Sequence, residues 1–207
     1  MKHNQGINTS TRLFVLVAGI LAGLSGVVHG FTETLKGNTP TGGFYLENFG
    51  AFSVIPDYLI TGIASILVAL AIAIWAVGFI HKRNGPNIFM ALSILLFFVG
   101  GGVAQLGFCL VTWGAATRIN SPLSWWRRVM SENSRIRLAK WWLAAFITGF
   151  LFISLGIGIW LILLTPGTAH NGDVANYICW GALGVGLVFL ILALISGFAR
   201  DIPKRMM

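Results

Sequence analysis

Charge is what this chain has least of. Lys, Arg, Asp and Glu together make up 10% of its 207 residues, against about 25% in a soluble domain. That leaves too little polar surface to cover a water-facing globule. Acids are scarcer than bases, six Asp and Glu against fourteen Lys and Arg, for a net charge of +8. The basic residues sit beside apolar runs, the pattern of a membrane protein's cytoplasmic flanks rather than of a nucleic-acid surface. No nucleic-acid partner is expected.

Other absences narrow the class. The two cysteines, Cys109 and Cys179, lie in apolar runs with no C-x-x-C spacing and no partnered histidines. A cysteine metal or redox motif is therefore not supported, and both read as small packing residues. His3 and His170 lie in polar segments, while His29 and His81 are expected at opposite membrane faces, so no facing pair exists for haem. No H-E-x-x-H, Walker, dinucleotide or G-x-S-x-G pattern occurs. No cofactor and no metal are expected. The short alternating segments of a transmembrane β-barrel are missing, as is the internal repeat of many transporters.

What the chain does have is apolar length. Hydrophobic residues make up 56% of it, in runs near or above the roughly 18 residues that mark a membrane helix. In lipid each backbone polar group must be paired within its own segment, so these runs should be helices. The expected architecture is an all-α polytopic membrane protein, one integral domain over 1–207, with spans near 13–30, 57–80, 88–117, 142–164 and 177–199. A basic start and small residues near Gly30 also fit a signal peptide. His29 at the would-be cleavage site argues against one.

The first span carries Gly19, Gly23, Gly26 and Gly30 on one narrow stripe. Small residues let membrane helices approach closely, so the stripe is expected to form a helix–helix contact. The segment 31–56 reads as a loop, with Phe44, Tyr45, Phe49 and Phe52 suited to the headgroup level. Pro56 and Asp57 suit the start of the second span. Tyr177 to Ala199 forms the last span, leaving Arg200, Asp201, Lys204 and Arg205 in a tail.

The central stretch, Ile88 to Thr117, decides the topology. As a single helix its 30 or so residues would reach roughly 45 Å, more than the hydrocarbon needs. Gly100, Gly101 and Gly102 interrupt it near the middle. Placing both termini, the basic turn at His81 and the 118–140 region on one side puts thirteen of the fourteen Lys/Arg together, a strong positive-inside pattern. The stretch must then enter and leave on that side, as a glycine-broken re-entrant hairpin with Gln105 buried beside the break. The rival is one long tilted helix and five crossings. The hairpin reading makes both termini cytoplasmic, in a plasma or inner membrane.

After it comes a basic segment with Arg118, Arg127, Arg128, Arg135, Arg137 and Lys140 among several tryptophans. Ser121 and Pro122 suit a helix start, and a short amphipathic interfacial helix is expected near 122–131. Its plain partner is anionic lipid headgroups; an acidic protein partner is the alternative. A new helix should start near Glu132.

The candidate chemistry lies at the outer boundary. His29 and Glu33 are four apart and share a helix face, and Asp57 is expected at a similar depth. The three could hold a cation or pass a proton, since ionisable groups at membrane depth are functional candidates. The chemistry-free reading leaves them hydrated in the interface, with His29 paired to Glu33. Three functions follow. The first is a non-catalytic membrane subunit or homo-oligomer, packing through the glycine stripe. The second is a small-solute or ion transporter or channel. The third is a lipid-modifying membrane enzyme using His29, Glu33 and Asp57.

Overall fold

A computed structural model describes residues 7–42, 45–46, 51–163 and 172–204. Seven helices and three very short strands are described: α1 Thr9–Thr34, β1 Tyr45–Leu46, β2 Ala51–Ser53, α2 Tyr58–Gly78, α3 Gly85–Phe98, β3 Val99–Gly102, α4 Val103–Ala116, α5 Ser124–Val129, α6 Glu132–Leu163 and α7 Gly172–Lys204. Four described helices are long and apolar enough to cross a membrane, and two shorter apolar helices accompany them. The fold class is that of an all-α polytopic membrane protein. Phe44, Phe49, His170 and Arg205 lie outside the described residues.

The chain divides into two compact units, Val15–Ser121 and Met1–Phe14 with Pro122–Met207. In the first, α1 and α2 run antiparallel along the glycine stripe. A Cβ at Gly19 would overlap the Cβ of Ala76; at Gly23 it would lie 2.7 Å from the Cβ of Ala73, at Gly26 2.8 Å from that of Ala69, and at Gly30 2.7 Å from the Gly62 carbonyl. As the α1 number rises the α2 number falls, so small residues on both helices bring the backbones together.

The central stretch is broken, as its glycines suggest. Each glycine costs a helix about 1 kcal/mol, and three in succession stop it. α3 and α4 have 14 residues each, roughly 21 Å apiece and short of the ~30 Å hydrocarbon. They form a hairpin whose outer ends meet: Trp113 Nε1, near the end of α4, donates to Asn87 Oδ1, near the start of α3, at 3.3 Å. Just outside the helices Asn120 donates to the His81 carbonyl at 2.7 Å.

The segment 31–56 is more than a loop. Its strands β1 and β2 pair antiparallel, and β2 pairs with β3, Ser53 opposite Val99 and Ala51 opposite Gly102. The Val54 amide donates to the Phe98 carbonyl at 2.9 Å. A broken helix exposes backbone groups that lipid cannot satisfy, and this hairpin supplies their partners. Phe52 stacks on Phe97 with centroids 5.3 Å apart, so it packs against α3.

The second unit is built on the long α6–α7 pair. α6 starts at Glu132 as expected, where Ser131 Oγ accepts from the Ser134 amide at 3.3 Å. Close contacts recur along the pair: a Cβ at Gly149 would lie 2.9 Å from Leu190, one at Gly186 2.9 Å from Ile153, and one at Gly156 2.7 Å from Leu183. α5 begins at Ser124 with Leu123 before it, not at Ser121-Pro122, and no side chain caps it. Leu123 is instead buried with Phe198 and Ile202, and Trp126 covers them. That apolar anchorage sets where the short helix starts.

α7 extends past Ala199 to Lys204, so Asp201 belongs to a helix and not to a tail. Its carboxylate is buried and accepts from the Ser10 and Thr11 amides, both at 2.9 Å, and from Thr11 Oγ1 at 2.8 Å. The first amides of a helix have no partner in their own helix, and Asp201 satisfies two of them at the start of α1.

Candidate functional site

In the first unit the last turns of α1 carry His29 and Glu33 on the face turned into the bundle. Glu33 is fully buried and His29 nearly so, with His29 Nε2 3.4 Å from Glu33 Oε1. That separation exceeds the 2.7–2.9 Å typical of a charge-assisted hydrogen bond. Among the described residues, neither carboxyl oxygen of Glu33 has a hydrogen-bond partner. Buried polar side-chain atoms are nearly always bonded, and Glu33 is one of the few described residues that depart from this. Both side chains are buried inside the unit and not exposed at its surface, and the expected pairing of His29 with Glu33 is present.

Opposite Glu33 stands the helix break. Gly100 adopts φ +114, a conformation that side-chain-bearing residues rarely take. A Cβ there would lie 2.8 Å from Glu33 Oε2, 2.8 Å from Ser65 Oγ and 2.6 Å from Thr61 Cγ2. A glycine is thus required by both backbone conformation and space. Gly101 is needed for approach alone, with a Cβ meeting the Leu96 carbonyl at 2.7 Å, whereas Gly102 faces open space.

Hydroxyls of α2 complete the surroundings. Ser65 Oγ donates to the Val99 carbonyl at the break. Thr61 Oγ1 donates to the Ile55 carbonyl at 3.2 Å and lies 3.0 Å from Ser53 Oγ. Thr61 and Ser65 went unnoticed in the sequence. Their signal is there in retrospect: two hydroxyls four residues apart, flanking Gly62 on one face of an apolar span. Just past the end of α1, Lys36 places its ammonium 4.0 Å from the centre of the Tyr58 ring. Burial pushes the Lys36 amine below its usual value, and the nearby Glu33 pulls the other way.

The remaining candidates are placed differently. Asp57 is the N-cap of α2, its Oδ1 accepting from the Ile60 amide at 2.9 Å. It serves the helix start, and the described residues hold no group of three His, Cys, Asp or Glu able to bind a metal. Gln105 donates from Nε2 to the Ala22 carbonyl on α1 at 2.7 Å, so it ties α4 to α1 beside Gly26 and does not cap the broken backbone. Of the basic set, Arg127, Arg128, Arg137 and Lys140 are exposed and Arg135 is half-buried, on α5 and the first turns of α6. Arg118 follows α4 in the other unit.

The fold and this pair of residues define a class: a helical membrane protein with a carboxyl group buried against a discontinuous helix. Protein-family models, curated proteins and solved structures yield no match to the chain.

Proposed function

We propose that the chain is a multi-pass protein of the cell membrane that moves a small solute or ion, with the α1–α4 unit as its working part. One observation carries this reading: Glu33, fully buried and without a hydrogen bond among the described residues, faces the positive-φ glycine of a broken helix. Ionisable groups at membrane depth mark ion and substrate paths, and transporters build their sites where helices are interrupted.

The rival readings have lost particular supports. A subunit or homo-oligomer packing through Gly19, Gly23, Gly26 and Gly30 needs that stripe free, and α2 covers it within the chain. A lipid-modifying enzyme needs Asp57 beside His29 and Glu33, and Asp57 caps a helix. The exposed arginines and Lys140 suit anionic headgroups, each contributing about 1 kcal/mol near such a surface.

The sided arrangement belongs to the same reading. The meeting of Asn87 and Trp113 supports a hairpin that enters and leaves on one side, with both chain termini cytoplasmic. Single cysteines at Asn84 and Ser121, in a Cys109/Cys179-free background, should label from the same side of oriented vesicles. Labelling from opposite sides would break the hairpin topology.

Transport itself is tested in proteoliposomes, following protons, monovalent cations and small solutes against empty vesicles. Glu33→Gln should lower the flux about tenfold or more, equivalent to roughly 1.4 kcal/mol in the barrier. Equal flux with and without protein, across that panel, would remove the reading.

A further inference from the structure

Resting on the transport reading, we infer that the species bound at Glu33 is a proton, delivered through His29, and not a metal cation. Three observations lead there. The first is space. Glu33 Oε2 and Ser65 Oγ both lie 2.8 Å from the position a Cβ on Gly100 would take, with the Thr61 methyl at 2.6 Å. Hard cations such as calcium gather six or more oxygens at about 2.3–2.6 Å, and a water needs about 10–15 Å³ of its own. A proton needs neither volume nor a ligand shell.

The second is donor supply. The hydroxyls near Glu33 direct their protons elsewhere: Ser65 Oγ donates to the Val99 carbonyl and Thr61 Oγ1 to the Ile55 carbonyl. Among the described residues the carboxyl oxygens of Glu33 receive no hydrogen bond, so no neighbouring donor competes with a proton for them. The third is access. His29 lies one turn earlier on the same face and is 5% exposed, against 0% for Glu33, with its Nε2 3.4 Å from Glu33 Oε1. A proton that arrives on the imidazole leaves Nε2 as the N–H bond breaks and joins Oε1 as the O–H bond forms. Imidazolium becomes imidazole, carboxylate becomes carboxylic acid, and the net charge of the pair is unchanged by the transfer.

The groups facing Glu33 frame that exchange. Its own helix supplies His29, and Lys36 just beyond the helix end feels its charge. α2 supplies Thr61 and Ser65, and β3 the main chain of Gly100. Glu33 Oε2 lies 2.8 Å from the point a Cβ on Gly100 would occupy, so the carboxyl that changes charge sits against the positive-φ residue of the break.

The test is infrared difference spectroscopy on the purified full chain in nanodiscs, with no solute and no gradient. Lowering the pH from about 9 to about 4, a range spanning ordinary histidine and carboxyl titration, should produce a protonated-carboxyl band that Glu33→Gln abolishes. His29→Gln should retain the band but alter the pH at which it appears. Sodium or potassium at fixed pH should leave it unmoved. A difference spectrum identical in wild type and Glu33→Gln overturns the proposal, and so does a band displaced by sodium or potassium. If Glu33→Gln does not fold, the His29→Gln shift and the salt independence decide the matter. Titration without flux in vesicles counts against transport alone, and flux without titration counts against the proton site alone.

Discussion

Two buried carboxylates, one in each unit, have opposite surroundings. Asp201 on α7 is 1% exposed and receives three hydrogen bonds, two from amides at the start of α1 and one from the Thr11 hydroxyl. Glu33 on α1 is 0% exposed and receives none from the described residues. Both are expensive to bury. Asp201 recovers that cost by closing a helix end, where a negative charge is also favoured by the dipole. Glu33 recovers little in the geometry described, and a group kept under those terms is available to change its state. On the transport reading, the difference separates a structural acid from a working one.

The largest effect should come from the residue packed against Glu33. Gly100→Ala introduces a side chain at φ +114, into contact with Glu33, Ser65 and Thr61. Backbone strain of about 1–3 kcal/mol adds to overpacking of similar size, so a loss of roughly 2–5 kcal/mol is expected. Thermal unfolding in detergent, followed by tryptophan fluorescence, checks it. Gly102→Ala is the control, since Gly102 has φ −71 and open space around it; its change should stay within about 0.5 kcal/mol. Equal losses at the two positions would mean that the break is not shaped around Glu33.

Asp201→Asn should come next. Its amide can keep an acceptor but not the charge, and it leaves buried amides at the start of α1 short of a partner. Hydrogen bonds to charged groups contribute about 1.5–3 kcal/mol, so a loss of about 2–3 kcal/mol is expected in the same assay. Flux per folded molecule should stay near wild type. A flux defect without a stability defect would erase the contrast between the two acids.

The two acids also mark how far the sequence could be read. His29 and Glu33 were legible as a pair because helical spacing fixes which residues share a face. The break was legible because consecutive glycines oppose a helix, and Asp57 because a cap acts on its own next turn. Asp201 was not, since its partners lie about 190 residues away and no local pattern points to them. The β1–β2 strands were hidden for a different reason. Two- and three-residue strands carry no usable alternation, and their role depends on a break located elsewhere in the chain. The stripe on α1 announced a contact, but the matching Gly62, Ala69, Ala73 and Ala76 on α2 gain meaning only once the two helices run antiparallel.

Glu33→Gln should have the smallest effect on stability and the most informative one. If His29 and Glu33 were a fixed ion pair holding α1 in place, removing one partner would cost about 3–5 kcal/mol, because the other charge would be left buried alone. The 3.4 Å separation and the absence of hydrogen bonds to either oxygen argue against such a lock. Glutamine matches the shape of the carboxyl group and forfeits no hydrogen bond made by it, so the change should remain within about 1 kcal/mol. A stability loss near that of Asp201→Asn would assign Glu33 to architecture. A near-neutral change together with lost flux would place Glu33 on the transport path and not in the architecture, and the infrared titration then decides whether the species it carries is a proton, at a carboxyl lying against the positive-φ residue of the break.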